Sequence, residues 1–175
     1  MEAIKTKVNG VEYRSKLEAR WAVFFYHYGL RFEYEPTTFR LKSGLYCPDF
    51  YLPDLACYAE VKPIISLTQF INDYQKFIFF ESTVYLKPKE YQKIKEFEDS
   101  IVLLCGLPLE RNFILFNTYD LDCWDGFNCY PVKDKLGWRW WSSTQLDDYP
   151  ATCNIKECAE IARYFDFFNY LKPAV

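Results

Sequence analysis

The sequence predicts an α/β protein built on a mixed sheet, and three stretches carry that prediction. Residues 15–29, SKLEARWAVFFYHYG, set Leu17, Trp21, Phe24, Phe25 and Tyr28 at helical spacing. Residues 47–63, CPDFYLPDLACYAEVKP, alternate about a proline-containing turn as a β-hairpin does. IVLLC at 101–105 is a short unbroken apolar run closed by Gly106, which suits a strand buried on both faces.

The other elements follow in order. Residues 1–13 read as a short arm or strand with a turn at Asn9-Gly10, a pair that tolerates positive φ. Ser15 is a good N-cap, Glu18 completes a capping box three residues later, and Gly29 suits the C-terminal stop. LRFEYEPTTFRL (30–41) alternates like a strand and breaks at Pro36. The hairpin begins after Ser43-Gly44. In SLTQFINDYQKFIFF (66–80), Leu67, Phe70, Ile71, Tyr74, Phe77 and Ile78 share one helical face. A second helix is expected from Pro88, with Tyr91, Ile94 and Phe97 pointing inward. Residues 14–108 thus read helix, three strands, two helices, strand. From 109 onward, short β-like runs between turn signals suggest an appended β-rich region. Asn154 with Glu157 opens a last amphipathic helix. The expected division is a core at 1–108 and an appendage at 109–175 packed on it.

At 175 residues, 50% apolar and 26% charged, the chain can bury a globular core. Its 16 Phe, 15 Tyr and 5 Trp are a heavy aromatic load. Tyr and Trp need partners for their polar tips, so many should lie at the rim of the core or on a binding surface. The net charge of -3 argues against a partner held by a broad basic surface. Local field matters more, and the N-terminal stretch gathers Lys5, Lys7, Arg14, Lys16 and Arg20. The opening MEAIKTKVNGVEY lacks the apolar run of a secretory leader, and no stretch is apolar for long enough to span a bilayer. The expectation is a cytoplasmic protein with no membrane partner and mostly free thiols among its seven Cys.

The hairpin carries the chemistry. With a turn at residues 53–56, Leu52 opposes Cys57 and Asp49 opposes Glu60. Tyr58, Glu60 and Lys62 then share one face, and Cys57, Ala59 and Val61 the other. Opposed residues have Cβ atoms roughly 4.5–5.5 Å apart, where like charges repel. Lys62 can compensate the pair, or a hard divalent cation can share it. A metal between two carboxylates, with an ammonium beside it, suits attack on a phosphodiester. The plainer account is a solvated strand face on which Lys62 pairs a neighbour for little gain.

Other constellations are weaker. The single histidine, His27, argues against a His-rich metal site or a Ser-His-Asp triad and reads as structural. Cys123, Cys129, Cys153 and Cys158 have poor spacings for a zinc knuckle, so buried reduced thiols are expected. In GWRWWSST (137–144), Trp138 and Trp140 are expected on the core and Arg139 outside, although such a set could also stack bases.

Glu18 on the first helix, Pro48-Asp49 in one strand and Glu60-Val61-Lys62 in the next together resemble the PD-(D/E)XK nuclease superfamily. More narrowly, YRSKLEARWAVFF…FEYEP…YCPDFYLP…AEVKP is similar to nuclease-like proteins common in phage and bacterial genomes. The resemblance spans roughly residues 13–108. It implies a restriction-endonuclease-like core, α-β-β-β-α-β, with a mixed sheet flanked by helices. It further implies a metal-dependent endonuclease using Mg²⁺ or Mn²⁺ on nucleic acid, DNA first, in a bacterial cell or phage-infected host. A homodimer would let two cuts fall on one duplex.

The implied roles follow position by position. Asp49 and Glu60 would be metal ligands, with the Val61 carbonyl a third, and Lys62 the catalytic lysine. Glu18 would be a further ligand or hold a water beside the metal; it is equally the N3 residue of its capping box. Members often carry Gln or Lys on the helix after the motif, where Gln69, Gln75 and Lys76 are candidates and Gln75 is preferred. Arg14, Lys16 and Arg20 would contact phosphates. The runner-up is a non-enzymatic module that keeps the fold and grips nucleic acid or a partner protein, for example a phage-encoded inhibitor.

Overall fold

The computed structural model describes residues 4–64, 75–79, 82–109, 113–116, 127–142 and 154–167. Strands β1 (Thr6–Val8) and β2 (Val11–Tyr13) pair antiparallel around Asn9 and Gly10, both at positive φ. Helix α1 (Lys16–Tyr28) starts where the Ser15 hydroxyl accepts the Glu18 N–H. It ends at Gly29, whose φ of 74° turns its own N–H back onto the carbonyls of the last turn.

The stretch 30–41 makes two strands in different sheets, β3 (Glu33–Tyr34) and β4 (Phe39–Leu41). Glu35, at φ 46°, and Pro36 turn the chain between them. β4 pairs with β5 (Gly44–Tyr46) as a separate hairpin. Then come β6 (Phe50–Leu52), one 3-10 turn at Pro53–Leu55, and β7 (Cys57–Lys62). Leu52 opposes Cys57 and Phe50 opposes Ala59, the register expected from the sequence.

The helix expected over 67–78 is corrected. Gln75–Phe79 is a strand, β8, paired antiparallel with β9 (Ser82–Leu86); residues 67–74 lie outside the described residues. The run QKFIFF is aromatic and β-branched, and STVYL offers it a ladder of backbone hydrogen bonds. Pairing therefore outweighs the helical spacing. Helix α2 (Pro88–Glu96) and strand β10 (Ile101–Cys105) fall where expected.

β11 (Phe113–Phe116), β12 (Phe127–Asp134) and β13 (Gly137–Ser142) complete the described strands, and α3 (Ile155–Tyr164) follows. Among the described residues the largest sheet has seven strands in the order β13-β12-β11-β10-β7-β6-β3. Its β7–β10 pair is parallel and its other pairs are antiparallel. The sheet runs without a break across residue 108, so the C-terminal strands extend the same sheet that holds the hairpin. The architecture is mixed α/β, with several sheets flanked by helices.

Both faces of the central β7–β10 pair are covered. Cys57, Ala59, Val61, Val102 and Leu104 join α1 and α3 in one core, around Trp21, Phe24, Phe25 and Phe50. Ile101, Leu103 and Cys105 point into a second, with Tyr46, Leu86, Ile94 and Phe97. Strict alternation along β7 and β10 makes this possible. Two buried polar tips find carbonyl partners: the Trp21 indole donates to the Gly106 carbonyl at 3.0 Å, and the Tyr28 hydroxyl to that of Pro131 at 2.7 Å.

Trp138 and Trp140 pack against the first core, while Arg139 is exposed and pairs with Asp134 at 2.8 Å. Among the described residues, Cys47, Cys57, Cys105 and Cys158 form no disulfide; burial pushes the Cys57 thiol up to about 12. Cys129 lies in β12, and Cys123 and Cys153 lie outside the described residues. No helix among the described residues is long and apolar enough to cross a membrane.

Candidate active-site cleft

The hairpin register brings Asp49, Glu60 and Lys62 together at the start of β6 and along β7. Asp49 is 5% exposed and Lys62 9%. The Val61 N–H donates to Asp49 Oδ2 at 2.7 Å, so the central strand itself fixes this carboxyl. Arg14 holds the other oxygen: its Nη2 lies 2.5 Å from Asp49 Oδ1. Burial and the nearby Glu60 nevertheless outweigh the Val61 N–H and Arg14, and the Asp49 pKa is pushed up to about 8.

Glu60 Oε1 accepts from Lys62 Nζ at 2.9 Å, and its Oε2 accepts from the Tyr46 hydroxyl at 3.0 Å. Lys62 Nζ also donates to Glu90 Oε1 at 3.2 Å, and the Lys87 N–H fixes Glu90 Oε2 at 2.9 Å. Burial pulls the Lys62 pKa down, but Glu60, Glu90 and Asp49 raise it further, so the ammonium is firmly protonated. Burial and Glu60 likewise raise Tyr46, which stays a neutral donor. These groups floor a cleft of about 350 Å³ whose lining includes Arg14, Tyr46, Glu60, Lys62, Glu90 and Lys93.

Glu18, 8% exposed, meets the demands of its capping box and also faces this region. Its Oε1 accepts from the Ser15 hydroxyl at 2.7 Å, and its Oε2 from the Tyr34 hydroxyl at 2.6 Å and the Arg14 N–H at 3.2 Å. Burial and the Glu18 bond raise the pKa of Tyr34, so it too remains a donor. Glu18 adds to the rise at Asp49, which places the two acids within each other's field.

The remaining candidates separate. Gln75 opens strand β8 and so does not stand on a helix behind the motif; Lys76 follows it in the same strand, and Gln69 lies outside the described residues. Of the three basic residues, Arg14 is at the cleft. Arg20 is engaged at the end of α3 and not at the cleft lining. Its guanidinium donates to the Ala162 and Arg163 carbonyls at the end of α3 and lies over the Phe167 ring, because the last carbonyls of a helix have no partner of their own. Lys16 is exposed, with Nζ 5.7 Å from the centroid of the same ring.

Tyr34, Glu35, Tyr46 and Glu90 are site residues that sequence reasoning missed. Glu90 had a signal, as N3 of a helix opened by Pro88. Tyr46 sits just before the Pro-Asp pair, but nothing local marks its hydroxyl as a partner for Glu60. Among the described residues, no group of three or more His, Cys, Asp or Glu side chains is close enough to hold a metal ion. Asp49, Glu60 and Glu18 present hard oxygen donors, yet each is engaged by protein hydrogen-bond donors. Comparison with family models, with curated proteins and with solved structures finds no match to this chain.

Proposed function

We propose that this chain is a metal-dependent endonuclease acting on phosphodiesters, DNA first, with a restriction-endonuclease-like core. One observation carries the reading. Two carboxyl groups and an ammonium, all largely withdrawn from water, meet across adjacent strands, and two of them, Glu60 and Lys62, line one cleft. Burying such a cluster costs desolvation energy, which points to a purpose beyond folding.

Carboxylate oxygens are the donors a hard cation takes: on this reading Asp49 and Glu60 would hold Mg²⁺ or Mn²⁺, with the Val61 carbonyl and Glu18 as further oxygen donors. Bound there, the metal would polarise a phosphate oxygen and acidify a water. Lys62, held between Glu60 and Glu90, donates hydrogen bonds and accepts none. Its part is to orient water and to steady developing negative charge, not to take up a proton. Tyr46 and Tyr34 fix the directions of Glu60 and Glu18. Arg14 and Lys93 supply positive charge at the cleft, which a phosphate chain needs on a protein of net negative charge.

A second reading, a binding module without catalysis, draws on the carboxylates being engaged by protein donors instead of converging on an open site. Plasmid cleavage with Mg²⁺, with Mn²⁺ and with EDTA separates the two, using the wild type beside Asp49→Asn and Lys62→Gln. Metal-dependent nicking that both variants lose supports the enzyme. Full activity in Asp49→Asn sinks it. No cutting of plasmid, branched DNA or RNA, together with retained nucleic-acid or protein binding, favours the module.

A further inference from the structure

We propose that Arg14 is a resident counter-cation of the carboxylate site: its guanidinium holds Asp49 until a divalent cation takes its place. This rests on the metal-dependent reading above and adds a positioning residue to it.

Three acids from separate segments surround this one guanidinium. Nη2 is 2.5 Å from Asp49 Oδ1, Nε is 2.8 Å from Glu35 Oε1, and Nε is 3.9 Å from Glu18 Oε2. Asp49 Oδ2 is already bonded to the Val61 N–H, so Oδ1 is the oxygen left for a cation. Two cations at contact distance from one oxygen repel, and a metal entering at Oδ1 must displace the arginine.

The surroundings are arranged for that exchange. Glu18 is oriented by the Ser15 hydroxyl and the Arg14 backbone N–H, which do not depend on the guanidinium, and by the Tyr34 hydroxyl, which the guanidinium also contacts. The Arg14 side chain is half exposed at the cleft, so it has room to swing. Glu35 holds it from the other side. This residue has a φ of 46°, rare outside glycine, and its N–H donates to the Asp49 carbonyl at 2.9 Å. Such a backbone persists only where its surroundings enforce it, and here it sets a second carboxylate beside the arginine. When the metal arrives, Arg14 gives up Asp49 and keeps Glu35.

The test is isothermal titration of Mg²⁺ into the full chain at pH 8, for wild type, Arg14→Gln, Arg14→Lys and Lys93→Gln. Far-UV circular dichroism checks that each is folded. A counter-ion engaged nine-tenths of the time lowers apparent affinity about tenfold, so Arg14→Gln should bind Mg²⁺ about tenfold more tightly than wild type. Arg14→Lys should fall between them, because an ammonium keeps the charge without the fork. Lys93→Gln removes the same charge from the same cleft and should change affinity by less than about twofold, as screened charges do. The proposal is overturned if Arg14→Gln binds no more tightly than wild type, or if Lys93→Gln gains as much. Binding by Arg14→Gln alone supports it. If wild type and Arg14→Gln both fail to bind Mg²⁺, the metal-dependent reading falls as well. If both bind equally, only the counter-cation role is lost.

Discussion

Asp49→Asn removes one ionisable proton from the buried acid between Val61 and Arg14 while keeping an oxygen for the Val61 N–H. The carboxyl is raised from an ordinary 3.8 to about 8, first by burial and then by Glu60. A carboxyl raised in the folded state binds its proton more tightly there than in the unfolded chain. Its stabilising contribution is therefore complete below about pH 4 and is lost as the pH climbs through 8. At about 1.4 kcal/mol for each pH unit, the loss at pH 7 would be on the order of 4 kcal/mol in a rigid site. Relaxation of the site and entry of water reduce this, as does Arg14, which in the variant faces an amide NH₂ in place of Oδ1, and the expected gain for the asparagine variant is on the order of 1 kcal/mol. Urea unfolding of both proteins in EDTA, followed by tryptophan fluorescence from pH 4 to 8.5, measures it. The two stabilities should meet near pH 4 and diverge as the pH rises, with the variant the more stable. A variant that is less stable at pH 8, or a difference that does not change with pH, refutes the reasoning. The same substitution should abolish metal-dependent cleavage, so stability and activity move in opposite directions.

Other substitutions probe the supports of the site. Lys62→Met strips Glu60 and Glu90 of their shared cation and should cost about 2–4 kcal/mol at pH 7 in thermal or urea unfolding. Glu18→Gln keeps a capping-box side chain and should stay within about 0.5 kcal/mol of wild type, whereas Glu18→Ala should lose about 1 kcal/mol. Trp21→Phe should cost about 1–2 kcal/mol, because the buried Gly106 carbonyl loses its indole donor. Gly29→Ala forces a side chain into the left-handed region at φ 74° and should cost about 1 kcal/mol, read as a fall in melting temperature.

The elements most visible in the sequence are those whose determinants are local. Ser15, Glu18 and Gly29 bracket α1, Pro88 opens α2, and the alternation from Phe50 to Lys62 has one register that keeps Phe50, Ala59 and Val61 inside. What was hidden depends on partners far along the chain. Residues 75–79 match a helical face as well as a strand, and only the ladder with 82–86 decides between them. That β11, β12 and β13 join the hairpin's own sheet depends on β10 lying beside β7, a parallel crossover that no local period encodes. The site divides in the same way. Asp49, Glu60 and Lys62 are adjacent through one hairpin and could be placed by counting. Arg14, Glu35, Tyr46 and Glu90 reach it from four other segments, and their convergence is tertiary.

β7 has a mechanical consequence for how this chain can vary. Its odd-numbered residues are bolted into one core, while its even-numbered residues run from Tyr58 through Glu60 to Lys62 along the other face. Inserting one residue within the strand would exchange the two sets, driving the acid and the ammonium into packed hydrocarbon and leaving Val61 in the cleft. The 3-10 turn at Pro53–Leu55 has none of its residues buried and can lengthen without that inversion. Related chains should therefore differ freely in length at this corner and keep the spacing between residues 57 and 62 fixed. A tolerated insertion at the turn and an intolerable one five residues later would show that the strand works as a ruler, setting the distance between its charges by the pleat alone.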